Sequence, residues 1–176
     1  MENADREVVT STLEKSVVEF FQAYGVACNK ADEAPSIAGP EMGSLVGFRG
    51  KSLRGGLAFV ASADFVERLL PVPKRPARGE LQLRDWSAEI ANQLVGRLKN
   101  KLSAHEINFE IGTPVCFRGS SIRLSFLPDA DGVTLDFAAG SDQVRVYLDC
   151  ALAPADGTPL TASAPRIVTE GDVVLF

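Results

Sequence analysis

Asp85, Glu89, Asn92 and Gly96 recur at intervals of three or four residues. At 100° per residue this spacing puts them in one line along a helix. Leu83, Trp86, Ile90, Leu94, Leu98 and Leu102 share the same stretch and form a second line, which reads as a core-facing stripe. The polar line holds two carboxylates and a carboxamide, which can orient a ligand or pair with a cation by hydrogen bonding. It holds no nucleophile and no metal-ligand set. If it catalyses, it completes a site that a partner brings. Asn and Gly are poor choices for a solvated helix face, and Gly costs about 1 kcal/mol relative to Ala. Their presence indicates that a partner approaches this face closely.

The rest of the composition narrows the chemistry. His105 is the only histidine, and Cys28, Cys116 and Cys150 are scattered without a CxxC spacing. Zinc centres and Ser-His-Asp catalysis are therefore disfavoured, and the cysteines read as reduced, packed thiols. His105 falls near a helix C-terminus, where it faces solvent or complements the dipole. A formal charge of −5 argues against nucleic acid as a partner. No apolar run approaches the length of a membrane span, and the acidic start Met1-Glu2-Asn3-Ala4-Asp5 is unlike a signal peptide, so a cytoplasmic location is expected.

The elements that must position the polar line follow from periodicity. The chain of 176 residues, 45% hydrophobic, is long enough for one domain with a substantial core. Val9, Leu13, Val17, Phe20, Phe21 and Tyr24 mark a first helix over residues 6–24 that stops at Gly25. Residues 44–50 and 55–61 read as two strands joined by a tight turn. Ser62 or Asp64 can cap a short helix ending before Pro71. Residues 71–79, with three prolines, read as a stiff basic connector. The long helix that carries the polar line runs from Glu80 to Ser103. Strands follow at 109–118, 121–127, 133–138 and 143–148. Residues 151–166 read as a loose arm, and 171–176 as a short strand pairing within the domain or with another subunit.

Val46-Gly-Phe-Arg-Gly-Lys-Ser-Leu-Arg54 matches Val115-Cys-Phe-Arg-Gly-Ser-Ser-Ile-Arg123 at six of nine positions. Each copy follows a helix and reads as opening a hairpin. The expected fold is therefore α+β, an antiparallel sheet with two long helices on one face and a pseudo-two-fold helix–hairpin duplication. In that scheme Glu14 of the first helix corresponds to Glu89, and Val17 stands where the second helix has Asn92.

Asp85-x3-Glu89-x2-Asn92, with Gly96 four residues on, resembles the helix motif of the CheC/CheX/FliY chemotaxis phosphatases. The order of helix, hairpin, motif helix and further strands is similar, and a single Asn-bearing helix fits the CheX-like type. The resemblance covers roughly residues 6–150, so residues 1–150 are expected to form a CheX-like phosphatase domain and 151–176 a C-terminal arm.

The resemblance implies hydrolysis of the acyl-phosphate on the Asp of a phosphorylated, CheY-like response-regulator receiver domain. The receiver would bring the Mg ion, and this chain would need no cofactor of its own. Asn92 would position the attacking water, since an uncharged amide both donates and accepts hydrogen bonds. Glu89 would bind the receiver's active-site Lys, Asp85 would be an outer docking residue, and Gly96 would leave room for the partner. A homodimer is also expected, because sheet edges need covering. The alternative is a non-catalytic CheX-like module that binds a receiver or only dimerises.

Overall fold

The computed structural model describes residues 3–32, 36–71, 79–125, 132–152 and 172–174. The elements run α1 (Asn3–Ala23), β1 (Cys28–Lys30), β2 (Glu41–Gly50), β3 (Leu53–Ser62), α2 (Ala63–Arg68), α3 (Glu80–Leu102), β4 (Phe109–Ile111), β5 (Val115–Gly119), β6 (Arg123–Ser125), β7 (Val133–Ala139), β8 (Asp142–Leu152) and β9 (Asp172–Val174). Seven strands form one antiparallel sheet in the order β1-β7-β8-β3-β2-β4, with β5 also on β2. This is the expected α+β architecture. Both long helices pack on one face of the sheet. Val9, Leu13, Val17 and Phe20 of α1 share a core with Ile90, Leu94 and Leu98 of α3 and with Leu57, Phe59, Phe137 and Val146 of the strands. The opposite face carries a smaller cluster of Ala58, Val60, Leu124 and Tyr147. The three cysteines are free, and burial pushes the Cys28 thiol up to about 11.

The sheet order is a palindrome about the β3–β8 pair. Exchanging β1 with β4, β2 with β7 and β3 with β8 leaves it unchanged, so two halves of helix, short strand and hairpin are related by a pseudo-two-fold. The ends of the two long helices show the same relation. At the end of α1, Gly25 (φ 74°) donates to the Gln22 carbonyl and Val26 to the Phe21 carbonyl. At the end of α3, Glu106 (φ 60°) donates to the Ser103 carbonyl and Ile107 to the Leu102 carbonyl. Both are Schellman turns, and each leads two residues later into a short strand.

That correspondence corrects two expectations. With Phe21 matched to Leu102, the residue of α1 level with Glu89 is Val8 and the one level with Asn92 is Ser11. Glu14 is not the counterpart of Glu89, and its carboxylate instead pairs with Lys30 of β1 at 2.9 Å. The two Phe-Arg-Gly segments are not equivalent either. The first closes the β2–β3 hairpin. The second forms β5, which lies on Glu41–Leu45 of β2 and does not pair with β6. Past β5 the chain turns at Ser121 (φ 55°), where the Ile122 amide donates to the buried Glu41 carboxylate at 2.6 Å. The structural counterpart of the first hairpin is β7–β8.

Other boundaries shift for local reasons. Residues 109–118, expected as one strand, divide into β4 and β5 around Gly112 and Pro114. The proline cannot donate to a ladder, and the Gly112 amide bonds the Gly47 carbonyl between the two pairings. Strand β8 runs through residue 150 to Leu152. The C-terminal strand β9 pairs in parallel with β6 of the same chain. Ser62 does cap α2, accepting from the Phe65 amide at 3.1 Å. Most of the basic connector (72–78) and of the arm (153–171) lies outside the described residues.

Candidate functional site

Helix α3 is held from beneath along its length. Trp86, Ile90, Leu94, Leu98 and Leu102 are buried as the stripe required, and Leu83 packs half-buried against them. Ser87 is also fully buried and shares a 2.8 Å hydrogen bond with Ser44 of β2. Ser44 lies 3.1 Å from Cys116 Sγ of β5, and that thiol donates to the Arg84 carbonyl of α3 at 3.1 Å. These small polar contacts fix the helix in rotation against the sheet, so the outward line has one defined direction.

Along that line Asp85 and Glu89 are exposed, and Asn92 and Gly96 are half-buried. The structure thus sets all four expected residues on one face. The Asn92 amide forms no hydrogen bond with another described residue, which leaves both its donor and its acceptor available. Gly96 is open: a Cβ added there meets nothing within 4 Å. Among the described residues nothing requires a glycine at that point. Gly96→Ala should therefore stabilise the protein by about 1 kcal/mol through helix propensity alone. Denaturant unfolding measures it, and a loss of stability would show that the notch serves the fold.

The structure adds two neighbours to the motif. Gln93 Nε2 donates to Glu89 Oε1 at 2.7 Å, and the Tyr24 hydroxyl, from the end of α1, donates to Gln93 Oε1 at 3.2 Å. The Glu89–Gln93 contact has the i,i+4 spacing that joins helix side chains, which is the local signal for it. The Tyr24 contact has no sequence signal, since Tyr24 reads as part of an apolar face. A groove of about 590 Å³ lies beside them, between the ends of α1 and α2 and the start of α3. Tyr24, Leu70, Gln82 and Trp86 line it together with Asp85 and Glu89. Gln82 Oε1 and Trp86 Nε1 are buried without hydrogen-bond partners among the described residues.

His105 sits exposed in the 3-10 turn after α3, in keeping with its reading as a terminal residue. A larger cavity of about 860 Å³ lies between α2, the turn after α1 and the β7–β8 turn, and its lining includes none of the four motif residues. Among the described residues no group of three or more His, Cys, Asp or Glu could hold a metal ion, and no helix is long and apolar enough to cross a membrane.

The fold is shared with solved structures of low sequence identity. The crystal structure of chemotaxis protein CheX from Vibrio vulnificus superposes with a TM-score of 0.69 at 16% identity, covering 83% of this chain and 98% of that one. For a chemotaxis protein CheX from Desulfovibrio desulfuricans the TM-score is 0.65 at 14% identity, with 82% and 98% covered. The CheX–CheY–BeF3–Mg complex from Borrelia burgdorferi gives 0.56 at 13% identity, with 82% and 96% covered. No curated protein sequence matches the chain. The profile of the family described as chemotaxis phosphatase CheX matches residues 42–138, more than half of the chain and all of the motif helix. On that match the chain belongs to the CheX chemotaxis phosphatase family.

Proposed function

We propose that this protein hydrolyses the phospho-aspartate of a CheY-like receiver domain, with Asn92 placing the attacking water. The observation that carries the reading is the pair Glu89 and Asn92, one turn apart on the outward face of a rigid helix, with the Asn92 amide unengaged. An acyl-phosphate is already reactive, so what remains is to hold water in line with phosphorus. An amide can accept from that water and donate toward a phosphoryl oxygen without adding charge. The glutamate is suited to the receiver's lysine, which would fix the helix over the phosphorylated site, and Asp85 lies one turn further out on the same face. The open surface at Gly96 admits the partner's backbone, so Gly96→Ala should weaken docking although it stabilises the helix.

Family membership supports this class of activity. The relative seen with CheY, BeF3 and Mg supports a receiver as the partner, with beryllofluoride standing in for the phosphoryl group. On this reading the receiver brings the magnesium ion. The test is the decay of phosphorylated receivers from the same organism with and without this protein. Clear complex formation with an unaltered receiver lifetime would make it an adaptor.

A further inference from the structure

An exposed glutamate on a helix samples several rotamers, and a partner that uses it must first immobilise it. Glu89 is restrained before any partner arrives, because one carboxylate oxygen accepts from Gln93 Nε2 at 2.7 Å. Gln93 has its own restraint. A free amide can turn over, and the reversed form would set its oxygen against the carboxylate. The acceptor-only carboxylate sets which end of the amide faces it, and the Tyr24 hydroxyl, donating to the amide oxygen at 3.2 Å, holds the other end of Gln93 in place. Tyr24 is in turn set by its ring contacts, 5.6 Å and 68° to Trp86 and 5.0 Å and 46° to Phe20, and by the Schellman turn that follows it.

We infer that Gln93 and Tyr24 are positioning residues for Glu89, and that this relay from the first half of the molecule presents the carboxylate to the receiver's cation. The inference rests on the phosphatase reading above. Only Oε1 of Glu89 is taken up by Gln93, which leaves Oε2 for an ammonium group, and a neutral amide leaves the carboxylate's charge in place. The half of the fold without the motif would then still serve the site, by aiming a residue of the other half.

The test is binding of a Mg-beryllofluoride-loaded CheY-like receiver to the full chain, measured alongside decay of the phosphorylated receiver. Gln93→Leu should raise Kd and KM about 2- to 10-fold, the range for losing one pre-set side chain, with kcat unchanged. Tyr24→Phe keeps the ring contacts and removes only the hydroxyl, so it should act in the same direction and more weakly. In a Glu89→Ala background neither change should weaken binding further, an outcome a merely structural role would not produce. An unchanged Kd for Gln93→Leu, or an equal loss in the Glu89→Ala background, overturns the relay. Asn92→Ala, run in parallel, separates the two ideas. If it hydrolyses like the parent, the phosphatase reading falls. If it is inactive while Gln93→Leu binds normally, only the relay falls.

Discussion

Asn92→Ala is expected to return receiver dephosphorylation to the receiver's own rate, a loss of about 100-fold or more in the stimulated reaction, the cost of removing one preorganised polar group. The size follows from the division of labour at the site. On the proposed reading the receiver would hold the phosphoryl group and its metal, and this chain would contribute placement of water, for which Asn92 is the uncharged donor-acceptor on the outward face. The fold should hardly notice. Asn92 is half-buried and makes no hydrogen bond with a described neighbour, and alanine is the better helix former. Thermal unfolding should move little, and affinity for beryllofluoride-loaded receiver should persist because Glu89 remains. Decay assays at saturating protein measure the effect, and stimulation near the parent level would remove Asn92 from the reaction.

The largest effect on stability is expected at Gly55, far from the motif. Gly55 sits in β3 opposite Cys150 of β8, in the pairing where the two halves of the molecule meet. A methyl group there would collide with the Asp149 carbonyl oxygen and come within 2.8 Å of Cys150 Cα. Both neighbours are backbone, so no side chain can rotate away, and relief requires the central strands to separate. Gly55→Ala should cost about 3 kcal/mol or more. Equilibrium urea unfolding of Gly55→Ala beside Gly96→Ala gives the contrast, since the same change on the open face of α3 should raise stability. A loss below 1 kcal/mol at Gly55 would mean that the central pairing has more slack than its geometry implies.

How much of this was legible beforehand depends on the range of the interaction. The stripes of α1 and α3 repeat over several turns, and such periodicity is visible in sequence. Ser62 could be read as a cap because its partner is three residues away. The two genuine hairpins are closed by local turns and were legible for the same reason. Strand β1 is three residues long, too short for an alternation to register. The pairing of β6 with β9 joins segments nearly fifty residues apart, and nothing local announces it. The similar Phe-Arg-Gly segments misled because like sequences met different neighbours: β3 follows the first, whereas Glu41 captures the turn after the second. At the site, the outward line on α3 was readable from spacing, and the Gln93 contact follows the helix repeat. The Tyr24 contact depends on two helices meeting across the core, which no local pattern encodes.

The pseudo-two-fold has a consequence for stoichiometry. Were both long helices equipped, one chain could engage two receivers. The residues of α1 level with Glu89 and Asn92 are Val8 and Ser11, which offer neither a carboxylate nor an amide. Ser11 instead bonds back to the Val8 carbonyl. A titration of the protein with beryllofluoride-loaded receiver should therefore saturate at one equivalent per chain, with a single class of sites. An unphosphorylatable receiver that retains binding should inhibit by simple competition. The signal relieved by this protein would then scale linearly with its copy number, without a second site to sharpen or blunt the response.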